Sequence, residues 1–402
     1  MPDQLPPFKT APRSAMPKSI WALGFVSLLM DISSEMIHGL LPMFMMTTLG
    51  ASALLVGLLE GLAESTALIV KVFSGVLSDA IGRRKPLAVF GYGLGAATKP
   101  LFAIATGPAL VFTARLLDRV GKGVRGAPRD ALVADLAPAE LRGAAFGLRQ
   151  SLDTVGAFLG PFLAVALMLL TADDFRVVFW VAVIPAVLAV ALLVMGVREP
   201  VTATGVPRIN PLARANLQRL SPALRQVVML GAVVSLARFS EAFLVLRAQS
   251  TGIAMAFVPL VMVGMNIVYA ACAYPFGKWS DRMSSRSLLA GSLVFLIVAD
   301  VVLALARGPL WIAGGVLFWG LHMAMSQGLL ARMVADHAPA DLRGTAFGVF
   351  NLACGIALLL ASVLAGFLWE AYGPAATFWI GAALTTLALA LTLRREAVIS
   401  VA

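Results

Sequence analysis

The amino-acid sequence predicts an all-α membrane protein with twelve transmembrane helices in two pseudo-symmetric six-helix bundles. Hydrophobic residues make up 60% of the 402 residues and charged residues only 13%. The mean hydropathy is +0.90, a composition that the surface of a soluble domain would not tolerate. Long apolar runs alternate with short polar connections, and motifs of the first half recur in the second half. These three observations predict the fold class.

Each predicted span is an apolar run of about 20 residues or more, the length that a helix needs to cross the hydrocarbon core. Longer runs indicate tilted helices rather than additional spans. Gly107-Pro108, Thr251-Gly252 and Gly308-Pro309 mark very short connections. The twelve spans are predicted at residues 19–47, 52–78, 86–106, 108–133, 143–170, 174–197, 225–249, 253–279, 287–306, 309–334, 344–369 and 373–394.

Basic residues collect in one set of connections, as in Arg83-Arg84-Lys85, whereas the opposite set holds little beyond Arg176 and Arg307. This asymmetry predicts that both termini are cytoplasmic. The net charge of +10 lies in loops between apolar runs, so we expect no binding to nucleic acid. We expect a monomeric, multi-pass protein in the lipid bilayer of the cell membrane, here a bacterial inner membrane.

The chain is predicted to divide into five regions. A Pro-rich cytoplasmic tail (1–18) has no apolar core of its own and is not a cleavable signal peptide. It is followed by the N-terminal bundle (19–197), a cytoplasmic linker (198–224), the C-terminal bundle (225–394) and a short C-terminal tail (395–402).

Two motifs occur twice. Gly75, Asp79 and Gly82 precede a basic run between the second and third spans, and a fainter copy begins at Gly277. The segment from Val133 to Gly147 recurs 201 residues later with three changes. The two halves of the chain are therefore internal repeats of each other.

The motif Gly75-x-x-x-Asp79-x-x-Gly82-Arg83-Arg84-Lys85 resembles the signature of the cytoplasmic loop between helices 2 and 3 in the major facilitator superfamily. The resemblance covers nearly the whole chain when the repeat is counted. It implies a carrier that alternates between two open states, with helices 1, 4, 7 and 10 lining a central cavity. It also implies that Arg83 reaches toward Asp135.

We expect a cytoplasmic gate at the duplicated motifs. The N-terminus of a helix favours a nearby carboxylate, so Asp79 should lie at the helix that begins near Gly344. Asp281 should lie at the helix that begins near Gly143. The predicted gate comprises Gly75, Asp79, Gly82, Arg83, Asp135, Arg142, Asp281 and Arg343.

Charged residues recur inside the predicted spans, most densely in the first half. A charge at the centre of a spanning helix costs about 2.5–3.5 kcal/mol, so such residues face a cavity or a partner. Asp31, Glu35 and His38 share one face of the first span. The cavity implied by the resemblance would be lined by these residues together with Arg115, Arg119, Lys122, Arg238, Glu241 and His322.

Two interpretations of the acidic residues remain open. In one they form static ion pairs with the fourth span. In the other Asp31 and Glu35 carry protons, Glu64 is the next candidate, and Arg119 is the cation that competes for them. The stripe of cations on the fourth span likewise either compensates these acids or attracts an anionic or zwitterionic solute.

Two further elements are similar to those of the drug/proton antiporter branch. One is Arg119-Val120-Gly121-Lys122-Gly123 in the fourth span, with shortened spacing. The other comprises Gly156, Gly160 and Pro161 in the fifth span, where generic packing of small residues is the alternative. Lys99 and Asp300 lie in spans expected at the periphery, so each should turn inward.

We predict a proton-coupled secondary transporter of a small organic solute, acting as an exporter (antiporter). The alternative is a proton symporter that imports an organic anion, such as a metallophore or a carboxylate. A receptor or channel is disfavoured by the duplicated gate loops. No ATP-binding loop is present, and we expect no enzyme activity, catalytic residue or cofactor. We expect no metal, because His38 and His322 lack a ligand-like spacing.

Overall fold

The structure is a computed structural model that describes residues 16–81, 83–138, 141–199, 221–280, 283–338 and 343–394. Helices dominate this part of the chain. Their bounds are α1 (Lys18–His38), α2 (Ala53–Ile81), α3 (Lys85–Ala103), α4 (Pro108–Leu136), α5 (Arg142–Leu170), α6 (Phe175–Gly196), α7a (Pro222–Ala237), α7b (Ala242–Ser250), α8 (Leu260–Ser280), α9 (Ser285–Ala304), α10 (Pro309–His337), α11 (Arg343–Tyr372) and α12 (Pro374–Arg394).

Ten segments of the described chain are long and apolar enough to cross a membrane. The helices α3 and α4 are not among them, because α3 contains Lys99 and α4 carries the stripe of cations. The composition and fold are those of a multi-pass membrane protein. The count of twelve spans and the cytoplasmic location of both termini stay predictions.

Helix ends follow local sequence signals. Proline occupies the first turn of α4, α7a and α10, where the missing N–H has no helical acceptor. The side chain of Asp174 accepts hydrogen bonds from the first turn of α6, and Ser284 does the same for α9. Gly50, Gly252 and Gly373 have positive φ and terminate helices at one end of the molecule.

We call the end of the molecule that contains Arg84, Lys85 and Glu199 the basic end. The end that contains the three glycines is called the opposite end. The N-terminal half (α1–α6) and the C-terminal half (α7a–α12) meet along two helix pairs, α2 with α11 and α5 with α8. Helices 2 and 5 of the first half correspond to helices 8 and 11 of the second. The contacts between the halves are therefore related by the internal duplication.

Among the described residues, the hydrophobic core that joins the halves lies toward the opposite end. One core cluster there combines N-terminal residues such as Ile37 and Met43 with C-terminal residues such as Phe243 and Leu246. Toward the basic end there are two separate clusters. One lies in the N-terminal half and contains Leu193, and the other lies in the C-terminal half and contains Leu289. The described side chains thus seal the molecule at the opposite end.

Two helices that sequence analysis treated as continuous are interrupted. After His38, α1 gives way to a short helical piece (Leu41–Met43) and a π-helical turn (Phe44–Thr48). Residues 238–241 separate α7a from α7b, and the side chain of Ser362 accepts a hydrogen bond from the freed N–H of Ser240 at 3.2 Å. The first interruption belongs to the core that joins the halves, and the second lines the space between them.

Candidate functional site

A cavity of about 320 Å³ lies between the two halves, on the basic side of the shared core. Most of its polar lining comes from α1, α2 and α4, and its C-terminal wall comes largely from the interruption of α7. The lining residues are Glu35, His38, Glu60, Glu64, Arg115, Arg119, Lys122, Arg238, Phe239, Ser240, Glu241, Ala242, Val245, Met262, Met323 and Leu358.

The N-terminal wall is built from ion pairs between α2 and α4. Glu60 and Glu64 are one helical turn apart, as are Arg115 and Arg119, so the two helices match acid to base along one face. Arg115 Nη2 lies 2.6 Å from Glu60 Oε2, and Arg119 Nη1 lies 3.0 Å from Glu64 Oε1. Both arginines are buried, so each depends on its carboxylate for compensation.

His38 connects this wall to a charged pair buried behind it. Its Nδ1 lies 3.2 Å from Nη2 of Arg119 and 3.8 Å from Oε1 of Glu35. Its Nε2 lies 3.5 Å from Oδ2 of Asp118. Asp118 is paired with Lys99 at 2.9 Å, and Lys99 also reaches the hydroxyl of Ser34 at 3.1 Å. A continuous row of charged groups therefore leads from the cavity to the interior of the N-terminal half.

The charges that line the cavity are balanced. Its four carboxylates are Glu35, Glu60, Glu64 and Glu241, and its four cations are Arg115, Arg119, Lys122 and Arg238. The sequence suggested an excess of cations on α4. The structure places part of that excess outside the cavity lining, because Arg125 lies over the Tyr92 ring and Arg129 contacts Asp130.

Two of the predicted cavity residues contact other helices. Asp31 is on the face of α1 that packs on α5, with its Cβ close to Gly156 and its carboxyl beside Asp153. His322 is fully buried between α9 and α10, where its Nδ1 lies 2.9 Å from the carbonyl oxygen of Ser292. Neither Asp31, which is partly buried, nor His322, which is fully buried, is among the residues that line this cavity, so their place at the cavity stays a prediction.

The structure brings together a second charged cluster that the predicted site did not include. Arg129 and Arg149 both approach Asp153, at 3.8 and 3.6 Å, and Arg129 lies 3.1 Å from Asp130. Arg129 and Arg149 face each other from α4 and α5 on the basic side of the cavity. The spacing of Arg149 and Asp153 by one helical turn was the available signal.

At the basic end, Asp135 is paired with Arg84 at 2.8 Å rather than with the predicted Arg83, whose side chain is exposed. The carboxylate of Glu199 accepts hydrogen bonds from the backbone N–H groups of Arg84 and Lys85, so it caps the start of α3. Gly75 lies near Ala127 of α4. The other predicted gate features lie outside the described residues, namely Gly82, Asp281 and the side chains of Asp79, Arg142 and Arg343.

The small residues of α5 permit close contact with α1. A Cβ at Gly156 would lie 2.6 Å from the carbonyl oxygen of Leu28, and one at Gly160 would lie 2.8 Å from that of Ile32. Any side chain would push the helices apart. Gly156, Gly160 and the adjacent Pro161 therefore serve helix packing in this structure.

Two duplicated helical halves around a charged central cavity, packed together at one end, define a transporter of the membrane. The model of the Major Facilitator Superfamily matches residues 23–247 and again residues 227–400. The chain belongs to this superfamily.

Relatives support the assignment over most of the chain. An uncharacterised MFS-type transporter of Methanocaldococcus jannaschii is 32% identical over 91% of this chain and 92% of its own. The inner membrane transport protein YajR of Escherichia coli is 24% identical over 91% of this chain and 81% of its own. The quinolone resistance protein NorA of Staphylococcus aureus is 22% identical over 77% of this chain and 79% of its own.

Solved structures share the fold. The nucleoside transporter NupG superimposes with a TM-score of 0.75 at 14% identity, covering 94% of this chain and all of its own. The peptide transporter POT, in complex with sulfate, has a TM-score of 0.73 at 17% identity, covering 94% of this chain and 93% of its own.

Proposed function

We propose that this protein is a proton-coupled secondary transporter that exports a small organic solute carrying both positive and negative charge. The solute binds in the central cavity while the halves alternate between two packings. Protons exchange on the acidic residues of the N-terminal wall, and Arg119 competes with them. The basic end faces the cytoplasm, and a monomer carries out transport.

The observation that carries the proposal is the row of ionisable side chains on α1, α2 and α4 that opens onto the cavity. A carboxylate paired with a cation in a desolvated site can exchange that partner for a proton. Arg119 is positioned for such an exchange because it contacts both Glu64 and His38. Glu35 also lines the cavity. Among the described residues its nearest ion-pair partner is His38, whose ring is either neutral or charged.

Asp31 belongs to the proposal as a second proton-responsive position. It lies beside Asp153, and two adjacent carboxyl groups do not both ionise easily. Because it is not among the lining residues of the cavity, its role is indirect, through the packing of α1 on α5.

The balance of four acids and four bases supports a solute that carries both charges. Export is supported by the likeness to the quinolone resistance protein NorA and by the antiporter-like elements of α4 and α5. The alternative, import of an organic anion with protons, is favoured by Lys122, for which the described residues provide no ion pair.

Transport in proteoliposomes tests the proposal. A thermal-shift screen of cationic, anionic and zwitterionic solutes, including the quinolone norfloxacin, identifies a ligand. An antiporter then accumulates that ligand in vesicles with an acidic lumen, whereas a symporter requires an alkaline lumen. Protein-free vesicles correct for passive partitioning of weak bases and acids.

Glu35→Gln should abolish accumulation driven by the pH gradient and preserve exchange of labelled for unlabelled solute, because the carrier still alternates. Asp173→Asn is the matched control, since Asp173 is an exposed residue between α5 and α6 whose positive φ asparagine tolerates. Accumulation at the wild-type level in Glu35→Gln, Asp31→Asn and Glu64→Gln alike contradicts the assignment of these acids.

A further inference from the structure

We infer that His38 takes up a coupling proton together with the acidic residues of the N-terminal wall, and that this proton and Arg119 compete for the same ring nitrogen. The inference rests on the proton coupling proposed above, and it assigns to His38 and Asp118 roles that neither sequence nor family implied. It follows from the partners of the two imidazole nitrogens.

The neighbour of Nδ1 determines the tautomer of His38. A guanidinium group only donates hydrogen bonds. Arg119 Nη2, at 3.2 Å, therefore requires Nδ1 to be an acceptor. In the neutral ring the proton then resides on Nε2, which faces Oδ2 of Asp118 at 3.5 Å.

The groups that face Nε2 form a buried ion pair, which we expect to stay intact when the ring gains a proton. Asp118 is buried and paired with Lys99, which is fully buried and bonded to Ser34 as well. Removing either charge from such a pair leaves the other uncompensated. The carboxylate of Asp118 thus favours a proton on Nε2 by its charge, and no hydrogen bond joins the two groups in this arrangement.

A proton on Nδ1 turns this nitrogen into a donor. The imidazolium and Arg119 then present donors and like charges to each other, so their contact breaks. Glu35 Oε1, already 3.8 Å from Nδ1, is the acceptor that replaces Arg119. Arg119 retains its pair with Glu64 at 3.0 Å.

Charged groups of several helices surround the ring. The carboxylates of Glu35 on α1, Glu64 on α2 and Asp118 on α4 are negative, and the guanidinium groups of Arg115 and Arg119 on α4 are positive. Arg238 and Glu241 of the α7 interruption line the same cavity. Lys99 on α3 neutralises much of Asp118. The nearest charged residues of α5 and α6 have other contacts, since Asp153 meets the arginines of the second cluster and Arg176 binds carbonyl groups of α3.

The consequence for transport is a change in the partners of Arg119. In the neutral state Arg119 contacts both His38 and Glu64. In the protonated state His38 is bonded to Glu35 while Nε2 still faces Asp118, and Arg119 keeps only Glu64 at the cavity. The proton enters from cavity water and leaves to water when the cavity opens on the other side, so the cycle is balanced.

Nuclear magnetic resonance of protein labelled with ¹⁵N-histidine in lipid nanodiscs tests the inference without any solute. The chain contains three histidines, and His38→Gln assigns the relevant signals. At about pH 8 we expect the neutral Nε2–H form of His38, converting to imidazolium as the pH falls toward about 5. Arg119→Met should remove the preference for the Nε2–H tautomer.

Transport supplies the second readout. His38→Gln keeps a polar side chain that does not titrate, so we expect loss of gradient-driven accumulation with exchange retained. His322→Gln is the matched control, because that buried histidine contacts a backbone carbonyl and is not among the lining residues of the cavity.

The outcomes separate this inference from the proposed function. A solute that never accumulates on a pH gradient refutes the proposed coupling. An Nδ1–H tautomer in the wild type, or one unchanging state of His38 between about pH 5 and 9, overturns the inference even where coupling holds. Full gradient-driven accumulation by His38→Gln overturns it as well.

Discussion

Lys122 differs from the other cations of the cavity because no ion pair joins it to a carboxylate among the described residues. It lines the cavity one turn from Arg119, and the corresponding position of the second half, 201 residues later, is Met323, which also lines the cavity. The two halves thus present an ammonium group and an apolar side chain at equivalent places. We assign Lys122 to binding of the acidic group of the solute.

Lys122→Met should therefore weaken binding of solutes that carry a carboxylate. A hydrogen bond to a charged group contributes about 1.5–3 kcal/mol, which corresponds to a loss of about tenfold or more in affinity. Titration of the thermal-shift ligand against the variant measures it. The ester of the same ligand serves as the control, since its affinity should not change.

The sequence predicted much of the site because spacing along a helix specifies a face. Glu35, Arg115, Arg119 and Lys122 line the cavity, and the family resemblance implied this for helices 1 and 4. Asp31 shares the predicted face with Glu35 but is not among the lining residues. The glycines of α5 bring that helix against α1 at both acids, and only the acid nearer the end of α1 reaches the cavity. Periodicity identifies a shared face but not the neighbour that covers each turn of it.

The helices α3 and α9 occupy equivalent places in the two halves, yet their buried charged residues have different surroundings. Lys99 of α3 pairs with Asp118 of α4. The residues 201 positions later are Asp300 of α9 and Trp319 of α10, both fully buried. Neither the carboxylate oxygens of Asp300 nor the indole nitrogen of Trp319 has a hydrogen-bond partner among the described residues.

Substitution by leucine should separate these two cases. Lys99→Leu leaves Asp118 as an uncompensated buried charge and should destabilise the protein by about 3–5 kcal/mol. Asp300→Leu removes an unpaired buried polar group and should be neutral or stabilising. Thermal unfolding in detergent measures both changes. A larger loss for Asp300→Leu than for Lys99→Leu would show that Asp300 has a partner that this arrangement does not reveal.

The interruption of α7 shows what the sequence could not predict at the level of a helix. Hydropathy gave one span over residues 225–249, and residues 238–241 contain neither glycine nor proline. The freed backbone is satisfied by Ser362 of α11, a residue more than 100 positions away. Ser240 adds a local contact, because its hydroxyl accepts a hydrogen bond from the N–H of Ala242. All four residues of the break, including Arg238 and Glu241, line the cavity.

For the molecule as a whole, duplication in the sequence predicted two bundles but not which end is closed. A carrier uses the same chain for both packings, so the sequence must be compatible with each. Among the described residues, one core joins the halves at the opposite end, and two further clusters toward the basic end each lie within one half. With the basic end in the cytoplasm, as the distribution of charge predicts, this packing closes the side away from the cytoplasm.

Close contact between α2 and α11 holds the opposite end together. A Cβ at Gly57 would lie 2.2 Å from the carbonyl oxygen of Ser362, and one at Gly366 would lie 2.6 Å from that of Ala53. Ser65 donates to the carbonyl of Gly355 at 2.5 Å further along the same seam. The backbones approach so closely that this packing requires glycine.

Gly57→Ala should therefore oppose this packing and favour the state in which the opposite end is open. Overpacking costs about 1–3 kcal/mol, and a free energy of that size changes a two-state population by about 5–150-fold.

Spin labels at Leu170 and Tyr372 measure this change. These residues are 82% and 73% exposed at the opposite end of each half, and the distance between the labels should be longer in the variant. The labels require replacement of Cys272, which is partly accessible, whereas Cys354 is buried. Gly93→Ala is the matched control, because a Cβ there meets nothing within 4 Å. A folded Gly57→Ala protein with the distance distribution of the control would show that the glycine seam does not set the balance between the two states.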